Sequence, residues 1–340
     1  MGTQVVDDGS EQLSEALHSS LGGINQLVRV PSGENCVFRA ESDRWGSIAL
    51  RLSPTARRSR AEVVAEIGLV RQLHGAGAPV VAALIDDVLP EPVDWAGATW
   101  WPVSFPWIHG LAPDLSEATV RSWGATLGQI HVAASAIEPV GGRCHWASSG
   151  HFAVDQHLGG WPEDERVQMQ ALLAELAGVP ASAACHGDLG LANLVWAGGR
   201  PLAIDFDDCC IGPRALDVAA AVTDLVIDNR SLLQMDPRQA FGSFLRGYLD
   251  AASEFDEQAG CLLDAFLWVT LIERCVTVRR TGIPDPAADA RLKEALRTGR
   301  LPPEFDPGRR SWSDVFAGGR LRVPVGGSIG QPAVGSGGAA

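Results

Sequence analysis

The chain has 340 residues, 46% of them hydrophobic and 20% charged, which fits a globular protein of one large or two ordinary domains. Acidic residues outnumber basic ones 41 to 27, for a formal net charge of −14; this argues against nucleic acid as a partner and weakly for a cationic small substrate. Lys293 is the single lysine, so any P-loop or Schiff-base lysine before it is excluded.

Seven cysteines, an odd number scattered along a long chain, read as reduced thiols of a cytoplasmic protein. The first twenty residues carry Asp7, Asp8, Glu11 and Glu15 and lack an apolar core, so no signal peptide is expected. The longest apolar run, Cys261 to Ile272, is broken by Asp264 and is too short for a bilayer. A soluble protein without a membrane partner is expected.

In chain order, Gln26–Val30 and Cys36–Ala40 flank the turn-rich Pro31-Ser32-Gly33-Glu34-Asn35 and predict a hairpin. Ser47–Leu52 predicts a third strand. Val63, Ile67, Val70 and Leu73 recur at helical spacing over 60–74. Pro79–Leu84 and Thr99–Phe105 are further strand candidates. After Gly110 the pattern turns helical: Ser116 can cap a helix with Val120, Trp123, Leu127 and Ile130 on one face. Helical periodicity returns over 165–177, 214–228, 238–252, 257–280 and 287–298, around a glycine-punctuated stretch from Ala184 to Asp208. This layout is α+β. A small β-rich lobe spans 1–105, a larger helical lobe spans 106–317, and they meet at a crossing over 105–110. A glycine-rich tail, 318–340, is expected to be flexible.

The chemistry is concentrated in His186-Gly187-Asp188-Leu189-Gly190-Leu191-Ala192-Asn193 and in Ile204-Asp205-Phe206-Asp207-Asp208. Phosphoryl transfer from a nucleotide needs a carboxylate near the acceptor hydroxyl and oxygen ligands for Mg²⁺. An Asp and an Asn five residues apart on one loop can supply the first carboxylate and one metal oxygen. A second Asp at a strand end can supply the rest. Leu194–Trp196 and Leu202–Ile204 read as short buried strands pinning the loops together.

These segments resemble the aminoglycoside phosphotransferase and choline kinase superfamily, nearest in flavour to the bacterial stress-response kinase and type II homoserine kinase branch. Glu66 with Leu73 and Ala78-Pro79-Val80-Val81 resembles its first-lobe helix and following strand. Phe105-Pro106-Trp107-Ile108-His109-Gly110 looks like its interlobe hinge, and Leu127-Gly128-Gln129-Ile130-His131 like its second-lobe helix motif. The resemblance implies a bilobal protein-kinase-like fold, ATP as co-substrate and Mg²⁺ as cofactor. It makes Asp188 the catalytic base or hydroxyl-orienting residue and Asn193 and Asp205 the Mg²⁺ ligands. His186 would brace the loop, and Asp217, in Gly212-Pro213-x₃-Asp217, would bond backbone or the catalytic loop. Trp107 and Ile108 would sit at the nucleotide.

The sequence departs from the protein-kinase pattern at two places. Arg51 stands where the third strand would carry lysine; a guanidinium can grip phosphate and still pair with Glu66. The metal motif reads Asp-Phe-Asp, which leaves Asp207 and Asp208 open as metal ligands or as partners of a cationic substrate. Ser32-Gly33-Glu34-Asn35 holds one glycine, and both a phosphate-contacting tip and an ordinary surface hairpin are open for it. Trp100, Trp101 and Trp107 fall near the expected adenine pocket; Trp146 and Trp161 are core residues or stack on a ring-bearing substrate. Cys144-His145, Cys185-His186 and Cys209-Cys210 lack the spacing of zinc ligands. Gly326-Gly327-Ser328-Ile329-Gly330 lacks the context of a nucleophile elbow. The leading expectation is phosphoryl transfer to a hydroxyl of a small molecule: an antibiotic, amino-sugar or amino alcohol. A protein Ser/Thr kinase and a nucleotide-binding pseudokinase are the competing readings.

Overall fold

A computed structural model of the chain describes residues 9–21, 23–32, 35–84, 91–137, 141–148, 158–181, 183–252, 257–281, 286–298 and 300–305. Gly33, Glu34, the tail 318–340 and the Gly326–Gly330 string lie outside the described residues.

The first lobe runs α1 (Gly9–Leu21), β1 (Ile24–Val30), β2 (Cys36–Ser42), β3 (Gly46–Pro54), α2 (Arg60–Gly75), β4 (Val93–Trp95) and β5 (Ala98–Pro106). Its five strands form one antiparallel sheet in the order β1-β2-β3-β5-β4. Alternation along β3 sends side chains to opposite faces. Ile48, Leu50 and Leu52 pack with Leu13, Leu17 and Leu21 of α1, whereas Arg51, opposite Val103 in the ladder, lies on the α2 face. A capping box between Ser59 and Glu62 fixes the start of α2 and leaves Arg58 in the turn before it.

Two elements were not anticipated. The first twenty residues lack a continuous apolar core, yet three leucines of α1 at steps of four close one side of the sheet. Strand β4 is only three residues long. The expected strand at Pro79–Leu84 is instead an extended stretch held at two points. Val80 makes a single parallel bridge to Ala203 of the second lobe, and the Leu84 N–H donates to the Ser104 carbonyl at 2.6 Å. Pro79 has no N–H with which to extend a ladder.

The second lobe runs α3 (Glu117–Ser135), α4 (Glu163–Ala177), β6 (Ala183–Cys185), β7 (Leu194–Ala197), β8 (Arg200–Ala203), β9 (Cys210–Gly212), α5 (Arg214–Thr223), α6 (Pro237–Ala251), α7 (Glu257–Thr281) and α8 (Pro286–Thr298). Ser116 caps α3 as expected. The pairs β7–β8 and β6–β9 are antiparallel two-stranded ribbons. Helices α3 and α6 approach so closely that a Cβ on Gly247 would run into the Arg121 carbonyl. The expected helix over 214–228 is α-helical only to Thr223 and widens into a π turn over Asp224–Asp228, a device often found beside functional sites. Among the described residues, no helix is long and apolar enough to cross a membrane. The architecture is the bilobal, kinase-like α+β arrangement.

Candidate active site

The loop from His186 to Asn193 leaves β6 and returns as β7, and α5 holds it at both ends. Asp217 accepts the His186 N–H at 2.7 Å and the Gly187 N–H at 2.8 Å. Two helical turns later, Asp224 accepts the Leu191 N–H at 2.7 Å. Seven residues separate the two carboxylates, which places them on one face of the helix. Gly187 has φ +90, and a Cβ there would meet the Asp208 carbonyl, so glycine is required.

Behind the loop lies a buried chain of hydrogen bonds. His131 Nε2 sits 3.0 Å from Asp217, and its Nδ1 sits 2.8 Å from the Tyr248 hydroxyl; all three side chains are fully buried. Burial opposes charge on Asp217, but hydrogen bonds from His131 and the Gly187 N–H outweigh it and hold the carboxyl below its usual range. Cys185 approaches His131 and Asp217 closely enough to suggest a metal cluster. The polar atoms of all three are already committed, the Cys185 thiol to the Pro213 carbonyl at 3.6 Å. His186 is buried as well. Its Nε2 donates to the Ile204 carbonyl at 3.0 Å and its Nδ1 accepts from the Asp188 N–H at 3.3 Å. Burial lowers its pKa, so the ring is neutral at pH 7.

Asn193 donates from Nδ2 to the Asp188 backbone carbonyl at 2.7 Å and to its carboxylate at 3.2 Å. Enclosing protein atoms push the Asp188 carboxyl above the ordinary range and the charges of Glu273, Asp208 and Asp224 add to the rise, while solvent, to which the residue is exposed, screens it. Arg274, which also pairs with Asp228, opposes the shift.

From the other side, the Arg51 guanidinium forks between Asp205 and Glu66, at 2.7 Å from each. Arg51 is 4% exposed. Asp205 has φ +58, a left-handed conformation uncommon outside glycine and one found at functional sites. Burial raises its carboxyl to about 6; Arg51 opposes the rise, and Asp207 and Glu66 add to it. Oxygen donors of this kind suit a hard cation. Asn193 turns its amide nitrogen to Asp188.

The remaining predicted residues fall around this centre. Asp207 accepts from Asn35 Nδ2 at 3.0 Å and lies 3.6 Å from Arg58, which also pairs with Asp208. Ser32 donates to the Asn35 carbonyl at 2.6 Å. The Trp107 N–H donates to the Ser47 carbonyl at 3.1 Å, and Arg39 lies 5.4 Å above the Trp107 ring. Backbone alternation therefore turns the Pro106 carbonyl to the opposite edge of β5, with Ile108 next along the crossing.

Other tryptophans lie elsewhere. Trp100 packs on Trp95 in the sheet core and donates to its carbonyl, and Trp101 donates to the Arg58 carbonyl over α2. Trp146 and Trp161 are 1% and 5% exposed, with Trp146 against Phe266. Neither is available to stack on a substrate.

Sequence reasoning missed Arg58, Arg143, Asp224, Glu273 and Arg274. Arg143 donates to the carbonyls of Phe206 and Asp207 at 3.1 and 3.2 Å and lies 3.9 Å from Glu66. The i, i+7 spacing of Asp217 and Asp224 was a usable signal. Long-range arginine contacts leave no local pattern.

No curated protein matches the chain. Among solved structures, an amicoumacin kinase bound to AMP-PNP, Ca²⁺ and amicoumacin is similar at 19% identity and TM-score 0.70, covering 86% of this chain and 92% of that one. A microcompartment-associated aminopropanol kinase is similar at 16% identity and TM-score 0.62, covering 86% and 98%. A choline/ethanolamine kinase family protein from Mesorhizobium loti is similar at 17% and 0.57, covering 91% and 99%. At such identities the likeness speaks for the kinase-like fold. The model of the phosphotransferase enzyme family matches residues 27–262, well over half of the length. The chain therefore belongs to the phosphotransferase enzyme family and is an enzyme that transfers phosphoryl groups to hydroxyls.

Proposed function

We propose that this enzyme moves the γ-phosphoryl group of ATP to a hydroxyl of a cationic small molecule, such as an amino alcohol, amino-sugar or amine-bearing antibiotic. The observation that carries the acceptor class is the set of carboxylates around Asp188, namely Glu273, Asp208 and Asp224. A neutral or anionic acceptor would gain nothing from such a field; an ammonium group would. Two solved relatives in fold, the aminopropanol kinase and the choline/ethanolamine kinase family protein, bear names in keeping with amino alcohols.

In this reading Asp188 accepts or orients the acceptor hydroxyl proton, and the Asn193 amide holds its carboxylate in place. Arg51, steered by Glu66, grips nucleotide phosphate oxygens. The crossing at 105–110 divides the two lobes, and the Pro106 carbonyl and Ile108 N–H would read the adenine edge. Asp205 and Asn193 would hold Mg²⁺, which supplies charge neutralisation at the β- and γ-phosphates. Asp217 and Asp224 keep the loop rigid so that alignment costs little in the transition state.

A protein acceptor is disfavoured by chain length. Cys210–Gly212 forms β9 directly after Asp208, and α5 begins at Arg214, which leaves no activation segment between them. The test is ADP release and ³¹P NMR over a panel of hydroxylated amines, with uncharged hydroxylated analogues and a generic protein substrate alongside. Turnover with the uncharged analogues alone would overturn the acceptor class.

A further inference from the structure

We propose that Arg58, Asn35 and Asp207 form an interlobe latch that sets the position of the Asp205 turn and of the β1–β2 hairpin tip together. The proposal rests on the nucleotide-binding reading above and gives the Asp207 and Asp208 carboxylates a lobe-positioning role through Arg58, while the Asp208 charge still reaches Asp188. Arg58 and Asn35 are positioning residues here; neither needs to touch the reacting atoms.

Three contacts carry the argument. Asn35 rises from the hairpin tip, is 7% exposed, and donates across the lobes to Asp207 at 3.0 Å. Its Oδ1 is buried without a hydrogen-bond partner among the described residues, so the amide is oriented by Asp207 and leaves an acceptor in the interlobe space. Arg58, held just ahead of α2 by the Ser59–Glu62 capping box, donates from Nη2 to Asp208 and has the Asp207 carboxylate 3.6 Å from the same nitrogen. On the far side of the turn, Arg143 holds the carbonyls of Phe206 and Asp207, and the Asp208 backbone rests against Gly187.

The segment after Asp205 is thus gripped by small-lobe side chains on one side and second-lobe groups on the other. Asp205 keeps its left-handed backbone between them. Such a conformation persists only where its surroundings over-determine it. A loop with a single glycine has fewer positions free to take the left-handed backbone that turns successive N–H groups towards a phosphate than a glycine-rich one. Here a side-chain tether joins Asn35, just ahead of β2, to Asp207 beside the Asp205 turn. Movement of the tip and movement of the turn then become one event.

The test uses the full chain with AMP-PNP and Mg²⁺ as probes. Arg58→Gln should weaken Mg·AMP-PNP binding in calorimetry on the order of tenfold, since hydrogen bonds to charged groups are lost. In the ligand-free chain it should also speed amide hydrogen exchange at 31–36 and 205–210 together. Asn35→Ala should give the same paired signature, and Arg58→Lys should recover part of both effects. If Arg58→Gln unfolds the chain, Asp208→Asn and Asn35→Ala carry the same comparison. Faster exchange confined to 205–210, with the hairpin tip unchanged, would overturn the latch. So would parent-like exchange in both segments. Failure of the parent itself to bind Mg·AMP-PNP would instead sink the nucleotide reading, while the exchange data would still decide whether the two segments move as one.

Discussion

Arg51 and Asp205 lie 2.7 Å apart, which joins the residue proposed for nucleotide phosphate to the residue proposed for metal. Glu66 takes the second prong of the same guanidinium. A planar fork can hold two carboxylates at fixed angles, which the point charge of a lysine ammonium cannot do. The substitution of arginine for the usual third-strand lysine therefore ties three elements, β3, α2 and the turn after β8, through one side chain.

Arg51→Ala should raise the KM for ATP and lower kcat together, because both ground-state grip and transition-state alignment are lost. Arg51→Lys should restore part of the loss. Chemical denaturation of Arg51→Ala should show a cost of up to about 3–5 kcal/mol, since buried Glu66 loses its 2.7 Å partner and keeps only the Arg143 guanidinium at 3.9 Å. Kinetics matching the parent would return Arg51 to a purely structural role.

What could be read from the sequence follows the range of each interaction. The β1–β2 strands, α2 and α3 carry periodicity or cap signals within a few residues and stand where the pattern puts them, whereas the helix expected over 214–228 is α-helical only to Thr223. The His186–Asn193 and Asp205–Asp208 segments are contiguous, and the fold brings them together. Arg58 and Arg143 are different. Arg58 reaches residues 150 positions away, and nothing in its neighbours foretells that. Tryptophan misled for a related reason: residue type gives an amphipathic ring, but only packing decides that Trp146 and Trp161 are enclosed.

Asp188→Asn should keep the fold and nucleotide binding while losing roughly 10²–10⁴ in kcat. The folded-state pKa of Asp188 is raised by the protein atoms enclosing it and by Glu273, Asp208 and Asp224, a rise that its exposure to solvent moderates. Its base form therefore appears only at higher pH than for an ordinary carboxylate, and kcat/KM should climb through that shifted value as pH rises. A pH–rate profile whose acid limb survives in Asp188→Asn would remove Asp188 from the proton transfer.

Glu273→Gln tests the acceptor side. Removing one negative charge beside Asp188 should raise the KM for a cationic acceptor several-fold, leave the KM for ATP in place, and lower the Asp188 pKa. An equal rise in both KM values would mean a general loss of site geometry instead.

Tyr248 is the single tyrosine of the chain, and its hydroxyl adjoins His131 in the relay to Asp217. Tyr248→Phe leaves His131 Nδ1 buried and unpaired, at a cost of roughly 1–3 kcal/mol in denaturant unfolding. Exchange at the His186 and Gly187 amides should quicken, because Asp217 loses the support that orients it. Tyr248→Phe with parent-like stability would show that the relay stops at His131.

Asp264, on α7, has a partly enclosed carboxyl with Oδ1 buried and unpartnered among the described residues, and burial alone raises its pKa to about 6. The sign of the linkage is the reverse of a salt-bridged aspartate. An unfolded chain releases this proton near the ordinary 3.8, whereas the folded chain keeps it until about 6. Between those values the folded state binds more protons than the unfolded one, so stability falls as pH rises through the window and stays reduced above it. Asp264→Asn, which has no charge to bury, should therefore unfold at higher denaturant than the parent at pH 8, by roughly 1–3 kcal/mol. At pH 4, where the parent carboxyl is already protonated in the folded state, the two should match. A variant that is less stable than the parent at pH 8 would mean the charged carboxylate has a favourable partner there, and the buried-charge account of Asp264 would fail.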